Sequence, residues 1–255
     1  MENPSREDMA KLAEASYQMG DKKLKKNKRV ENTQNIASDT GYVVNPQYSN
    51  SEITTYQHKD NPKNVVIAHR GTNVGGRRGM KDIQNDLAFA VGLGGHESTF
   101  KRRKNKTNQI IKDLQPEQLH MTAHSLGGGT LQHTIANSRQ VKKHLTSAKT
   151  FNAAANPIFD NDIKVGKKYK KELESKVEHH RIKNDPVSAG FKGFVPFGKV
   201  KTHSVKHDAS KGKSMFQNVV EKSTALGQAK RFTEKGIHAH HISHFHDGSI
   251  KKKKK

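Results

Sequence analysis

The sequence contains no cysteine among its 255 residues. The chain can therefore form neither a disulfide framework nor a cysteine zinc site, and it has no thiol nucleophile. Long apolar runs are missing too. No stretch approaches the roughly 18 apolar residues of a membrane span, and the N-terminus lacks the apolar core of a signal peptide. We therefore expect a soluble protein without an ordinary cleavable signal and without a transmembrane segment.

Acidic residues are scarce. The chain has 24 of them against 47 lysines and arginines, which gives a formal net charge of +23. Such a charge points to anionic neighbours such as nucleic acid, an acidic membrane face or an acidic assembly. Hydrophobic residues make up 31% of the chain, enough for one domain with an economical core. We predict a single domain over residues 1–250, with a basic, solvated linker around residues 21–35 and a disordered lysine tail over residues 251–255.

Apolar spacing predicts alternating helices and strands. The predicted helices cover Arg6–Met19, Asp82–Val91, Asn108–Leu114 and Leu126–Ser138, and the predicted strands cover Ile53–Gln57, Val65–Ala68, Leu119–Ala123, Ala148–Ala153 and Val177–Ile182. The first two strands are separated by a polar Asn-Pro turn that suits a hairpin. This order is typical of an α/β fold with a mostly parallel sheet, whose ligands bind at the carboxyl ends of the strands.

The segment HMTAHSLGGGT (His120–Thr130) places a serine between a predicted strand and a predicted helix. A nucleophile elbow has this context, because its strained turn needs small residues two positions before and after the serine. Ala123 and Gly127 meet that need. The backbone N–H of Leu126 would then hold an oxyanion at the helix N-terminus. The alternative is that Ser125 only caps the helix.

Five blocks extend this pattern along the chain. They are VVIAHRGT (Val65–Thr72), DIQNDLAFAVG (Asp82–Gly92), HMTAHSLGGGT (His120–Thr130), TFNAAA (Thr150–Ala155) and NDPVS (Asn184–Ser188). Their order and rough spacing resemble the class 3 lipase family, with lipase-like proteins of bacteria and large DNA viruses nearest in character. The resemblance implies an α/β-hydrolase fold with a nucleophile elbow after a central strand.

The same resemblance implies functional residues. Ser125 corresponds to the nucleophile, and Asp185, in Asp-Pro-Val, to the acid of the triad. Thr72, after Arg70-Gly71, corresponds to the second oxyanion-hole residue beside Leu126. The C-terminal HAHHISHFH segment is similar to a His-x-Ile/Leu-x-x-Phe pattern that selects His240 as the base, with His241 and His238 as alternatives. Neither a cofactor nor a metal is predicted, although these histidines could bind zinc.

Other positions leave alternatives open. His69 stands where the family usually has phenylalanine, and Ala123 where it usually has glycine. The stretch FKGFVPFG carries three phenylalanines close after Asp185, namely Phe191, Phe194 and Phe197. They could form a substrate lip that meets acyl chains, or a loop packed onto the core.

The resulting hypothesis is a serine ester hydrolase that acts on lipid, either a triacylglycerol lipase or a phospholipase. The basic surface favours peripheral contact with an anionic membrane. The alternative is a catalytically idle hydrolase fold that binds nucleic acid or packs in a virion. Nucleic acid is less favoured because no nucleic-acid-binding module is recognisable. A cytoplasmic or virion-associated location is expected.

Overall fold

The strands of the protein form one mixed sheet. A computed structural model describes residues 3–71, 96–154, 165–183, 185–189, 197–205, 241–247 and 250. The described strands are β1 (Tyr42–Val44), β2 (Ile53–His58), β3 (Asn64–His69), β4 (Gln118–His124), β5 (Leu145–Phe151), β6 (Val177–Ile182) and β7 (Lys199–His203), and they lie side by side in that order. β1, β2 and β3 pair antiparallel, and β3 to β7 pair parallel. The predicted α/β fold with a mostly parallel sheet is confirmed.

Helices cover both faces of this sheet. They are α1 (Arg6–Met19), α2 (Lys26–Ala37), α3 (His96–Leu114), α4 (Leu126–Asn137), α5 (Arg139–His144), α6 (Lys167–Lys176), α7 (Pro186–Ala189) and a 3₁₀ helix (Ile242–Phe245). α1 and the 3₁₀ helix pack on one face, and α3 to α6 pack on the other. None of the helices in the described part of the chain is both long and apolar enough to cross a membrane.

The continuous apolar run in β3 is explained by its burial on both faces. Val65 and Ile67 belong to the core under α3 and α4, whereas Val66 and Ala68 belong to the core under α1. All six residues of β3 are buried. Since parallel strands between two helical layers expose neither face to water, they read as unbroken apolar runs and not as alternating ones.

The prediction of a linker around residues 21–35 is wrong for most of that segment. Residues 26–35 are not a linker, because they form most of a helix that packs against α1. Thr33 and Ala37, four residues apart, are fully buried on its inner side. Arg29 donates from Nη1 to the Met19 carbonyl over 3.2 Å. The basic side chains occupy the outer face, so that few apolar residues mark this helix in the sequence.

Most other predicted elements are confirmed, with shifted ends. The predicted helix over Asn108–Leu114 is the last part of α3, and the predicted strand over Ala148–Ala153 starts earlier, at Leu145. The hairpin of β2 and β3 is antiparallel, as expected from its turn. The predicted helix over Asp82–Val91 and the lysine tail at 251–255 lie outside the described residues.

Buried neutral histidines should make the stability of the fold depend on pH. The His179 ring contacts Thr150 Oγ1 through Nδ1 (2.8 Å) and the Phe197 carbonyl through Nε2 (2.9 Å). Burial lowers the pKa of His179 to about 4 from its ordinary 6.5. Between these values the unfolded chain binds a proton that the folded chain does not, so stability falls as pH falls.

We therefore expect the Tm to decrease from pH 7 to pH 4.5. Between the two pKa values, His179 lowers the free energy of unfolding by roughly 1.4 kcal/mol for each unit by which the pH falls. Thermal unfolding of His179→Gln should show a shallower decrease than the wild type over the same range. An identical pH dependence of Tm in the two proteins would contradict this account.

Candidate active site

Ser125 lies in the turn between β4 and α4 with an unusual backbone conformation. Its φ is 55° and its ψ is −132°, a positive φ that residues other than glycine rarely adopt. Its side chain makes no capping hydrogen bond to the helix that follows. Ser125 is therefore no ordinary helix cap, and the turn has the strained strand-to-helix geometry that the sequence predicts for a nucleophile elbow.

Backbone hydrogen bonds hold this turn in place. The Ser125 N–H donates to the Phe151 carbonyl over 3.1 Å, and the Ser125 carbonyl accepts from Ala154 (3.0 Å) and Gly128 (2.9 Å). Both the amide and the carbonyl of the serine are thus bonded to the end of β5 or to the first turn of α4. Such over-determination keeps a strained residue in a conformation that would otherwise relax.

Two glycines permit the close approach of the neighbouring loop. A Cβ on Gly127 would lie 2.3 Å from the His69 carbonyl oxygen, and one on Gly71 would lie 2.6 Å from the His124 carbonyl oxygen. The same added Cβ on Gly71 would lie 3.2 Å from Ser125 Cβ. The Arg70-Gly71 loop is therefore packed directly against the serine. Thr72, the predicted oxyanion-hole residue that follows, lies outside the described residues.

Leu126 begins α4, as its predicted role requires. The first amide of a helix has no acceptor within the helix, so it can bind an anion near the serine. This arrangement is compatible with Leu126 N–H as an oxyanion donor, which stays a prediction.

A buried polar layer supports the same loop. Arg103, which is 8% exposed, donates from Nη1 to the Arg70 carbonyl (2.7 Å) and to Thr130 Oγ1 (3.1 Å). The His69 ring lies between Thr130 Oγ1 and Thr107 Oγ1, each 3.1 Å away. Burial, reinforced by the nearby Arg103 cation, lowers the pKa of His69 well below its usual range, so its ring is neutral. Both ring nitrogens of this histidine are bonded where the family usually has phenylalanine.

Sequence reasoning did not identify Arg103. It lies in the basic run of α3, which we interpreted as a solvated surface, yet it belongs to the inner face of the helix. The signal was its spacing: Phe100, Arg103, Thr107 and Ile110 recur at intervals of three and four residues and are all buried. An arginine within an apolar stripe predicts a buried partner, here the carbonyl of Arg70.

Asp185, the predicted acid of the triad, follows the end of β6. It is fully buried, and its Oδ2 accepts the Ser188 N–H over 2.6 Å. Its own N–H donates to the Ile182 carbonyl over 3.1 Å. Ser125 and Asp185 therefore both lie at the carboxyl edge of the sheet, on β4 and β6, with β5 between them.

Asn152 connects the two ends of this arrangement and was not predicted. Its φ is 43°, its side chain is fully buried, and its Oδ1 accepts the Ile182 N–H over 2.9 Å. Its N–H donates to the His180 carbonyl over 2.8 Å. Asn152 follows Phe151, the acceptor of the Ser125 amide. A continuous set of hydrogen bonds thus extends from the serine to the strand that precedes Asp185.

The candidate bases are only partly described. His240 and His238 lie outside the described residues, whereas His241 is exposed at the start of the 3₁₀ helix. The next residues are anchored on the α1 face. Phe245 is 1% exposed, with its ring 4.9 Å from that of Phe151, and His246 Nε2 is 2.6 Å from Glu14 Oε2 on α1. The C-terminal segment therefore meets the sheet at the end of β5, beside the strand end that holds the serine.

A family comparison identifies the type of domain. The model of the Tle-like phospholipase domain, described as phospholipase-like, matches residues 8–238. The chain belongs to this family. The predicted relationship to lipases is thereby confirmed, and a lipid ester hydrolase is the type of protein that the match supports. The closer likeness to viral and bacterial members stays a prediction.

Solved structures similar to this Tle-like domain include two fungal proteins. Lipase II from Rhizopus niveus has 15% identity and a TM-score of 0.49, with 79% of this chain and 80% of that chain covered. A mutant form of MDLA from Penicillium cyclopium has 17% identity and a TM-score of 0.46, with 79% of each chain covered. None of the curated proteins matches the chain. Family membership depends on the family model and not on these likenesses.

The position of Phe197 does not fit the hypothesis of a substrate lip. It is 1% exposed and belongs to the core beneath α3 and α4, so it takes the alternative position of a loop residue packed onto the core. Its carbonyl accepts from His179, which fixes the start of β7. Phe191 and Phe194 lie outside the described residues, so their role in a lip stays a prediction.

Metal binding was the alternative for the C-terminal histidines. Among the residues that the structure describes, no three or more His, Cys, Asp or Glu side chains are grouped to hold a metal ion. His238 and His240 are not among them.

Because the backbone at Gly127 lies so close to the His69 carbonyl, we expect one added methyl group at this position to destabilise the fold. Gly127→Ala should lower the free energy of unfolding by about 1–3 kcal/mol, because its Cβ would overlap the His69 carbonyl. Gly166→Ala is the matched control, since a Cβ there meets nothing within 4 Å. Urea unfolding of both variants and of the wild type measures these differences in the free energy of unfolding. Equal stability would show that the loop does not pack as described.

Proposed function

We propose that the protein is a serine ester hydrolase of lipids with Ser125 as its nucleophile and Asp185 and His240 completing the triad. The observation that carries this proposal is the backbone of Ser125, whose φ of 55° lies in the strained turn between β4 and α4. A residue held in such a conformation is found mainly where function requires it. Membership of the Tle-like phospholipase domain family supports lipid as the substrate class.

The reaction would proceed in two steps. Ser125 Oγ attacks the ester carbonyl while His240 takes its proton, and the tetrahedral oxyanion is held by Leu126 N–H and by Thr72. The ester C–O bond then breaks, and the leaving alcohol takes the proton from the histidine. Water, activated by the same histidine, hydrolyses the acyl-enzyme and regenerates the serine.

The environment of Asp185 suits an acid that orients a histidine. Its Oδ2 is held by the Ser188 amide, so that the carboxylate has a fixed position at the carboxyl edge of the sheet. A buried carboxylate of this kind holds the imidazole in one tautomer and stabilises its protonated form. The chain order Ser, Asp, His is that of α/β-hydrolases.

The choice of His240 as base depends on the anchoring of its segment. Phe245, which follows His240 in the chain, packs against Phe151, whose carbonyl accepts the Ser125 amide. His241 and His238 are the alternatives. His246 pairs with Glu14 on α1, so this histidine has a structural role.

Labelling with a fluorescent fluorophosphonate tests the nucleophile. The wild type should be labelled and Ser125→Ala should not, because the probe reacts only with an activated serine. Ser147→Ala is the control: Ser147 also contacts a histidine, with Oγ 2.8 Å from His120 Nδ1, but at the opposite edge of the sheet. It should be labelled like the wild type.

The same assay distinguishes the bases. His240→Ala should lose labelling, whereas His238→Ala and His241→Ala should keep it. Absence of labelling in the folded wild type, with lipid present, would refute the hydrolase proposal.

We expect the protein to bind its lipid substrate at an anionic membrane surface. Lys101, Arg102 and Lys104 form a basic turn of α3, with Lys101 and Arg102 exposed. The turn is fixed beside the active site, since Arg102 Nε donates to Glu52 over 2.8 Å and Arg103 contacts the Arg70 carbonyl. Each basic residue near an anionic surface contributes about 1 kcal/mol to binding.

Charge reversal tests this contact. Lys101→Glu with Lys104→Glu, made in Ser125→Ala to prevent hydrolysis, should weaken binding to phosphatidylglycerol-containing vesicles by at least about tenfold. Lys112→Glu with Lys143→Glu changes the charge equally at the other edge of the sheet and should have a smaller effect. Equal loss in both pairs, or binding to DNA in preference to vesicles, would contradict the membrane proposal.

A further inference from the structure

Tyr17 of α1 lies between the two segments that form the candidate active site. Its Oη is 2.8 Å from Nδ1 of His124, the residue before Ser125. On the other side, the Gly71 backbone amide faces the same hydroxyl, and a Cβ on Gly71 would lie only 2.5 Å from it. One hydroxyl therefore touches both the loop that leads to Thr72 and the strand end that leads to the serine.

We propose that Tyr17 is a positioning residue that sets the distance between the oxyanion loop and the nucleophile. The inference rests on the proposed serine hydrolase mechanism and adds to it a residue outside the triad and the oxyanion hole. Tyr17 would not contact the reacting atoms. It would act through His124 and Gly71, each of which is one residue away from a group that does.

Small displacements of the loop at Gly71 relative to Ser125 should lower the reaction rate strongly. Oxyanion donors stabilise the transition state only when they lie at hydrogen-bond distance from the developing charge. A misplacement of about 1 Å can cost about 10²-fold in rate. A Cβ at Gly71 would lie 3.2 Å from Ser125 Cβ, so a shift of this loop would change its spacing from the serine.

The helix that carries Tyr17 is a rigid support. Met9 and Leu12 are fully buried in the core under α1. The Met9 carbonyl accepts from Thr122 Oγ1 (2.9 Å), and the Leu12 carbonyl accepts from Tyr56 Oη (2.9 Å). α1 is thus bonded to β4 and β2 independently of Tyr17. Removing the Tyr17 hydroxyl should leave the helix in place and affect only the two segments that it touches.

The hydroxyl keeps its proton. Burial raises the pKa of Tyr17 well above its usual range, although the Arg70 and Arg103 cations oppose this effect. A neutral phenol can donate its O–H and accept from an N–H at the same time, so one hydroxyl can bond both the His124 ring and the Gly71 amide.

The test compares two tyrosines that both bond to other segments through buried hydroxyls. Tyr17→Phe keeps the ring and removes the hydroxyl beside the active site. Tyr56→Phe removes a hydroxyl that bonds to the same helix but lies away from the serine. Each is assayed for kcat and KM on a soluble ester, for the rate of fluorophosphonate labelling, and for Tm.

Tyr17→Phe should lower kcat and the labelling rate by about 10-fold or more with KM nearly unchanged. Tyr56→Phe should lower Tm while kcat stays within about twofold of the wild type. His124→Asn provides a second variant. Because Tyr17 acts partly through His124, the rate loss in the Tyr17→Phe/His124→Asn double variant should be smaller than the product of the two single losses.

A Tyr17→Phe protein with wild-type kcat and labelling rate would overturn the proposal, and so would rate losses that simply multiply in the double variant. A parallel fall of Tm and kcat in both tyrosine variants would also overturn it, since it would indicate a purely structural role. Failure of the wild type itself to be labelled would instead refute the serine hydrolase mechanism.

Discussion

The left-handed backbone of Ser125 is the constraint on which the rest of the candidate site depends. A serine with φ 55° is strained, and it persists because the amide and carbonyl on either side of its Cα are both bonded. The turn leaves no space for a side chain at positions 127 and 71, and both are glycines. An added Cβ would lie 2.3 Å from the His69 carbonyl oxygen at Gly127 and 3.2 Å from Ser125 Cβ at Gly71.

A chain with only 31% hydrophobic residues holds this site largely with polar contacts. Arg103 and His69 form a hydrogen-bonded layer under the loop, and Asn152 joins the ends of β5 and β6. Such networks fix geometry because each buried group is costly to leave without a partner. Exposed basic residues of α2, α3 and α6, such as Lys26, Arg102 and Lys168, lie outside this layer.

The sequence predicted the elements whose burial gives a periodic or continuous apolar pattern. β3 and β4 are examples, and so is the turn at Ser125, which local steric needs determine. α2 was missed because two small buried residues, Thr33 and Ala37, hold it to α1. Tyr17 and Asn152 were missed because their roles arise from contacts 107 and 30 residues away in the chain. No local pattern encodes such pairings, which exist only once the sheet has formed.

The central claim is that Ser125 is the nucleophile of a preformed oxyanion site, and a crystal structure of the phosphonate adduct tests it most directly. The account predicts phosphorus bonded to Ser125 Oγ, with its oxygen about 2.7–3.1 Å from the Leu126 amide. It also predicts Tyr17 Oη in contact with His124. An adduct on another residue, or an oxygen directed away from the start of α4, would contradict the account.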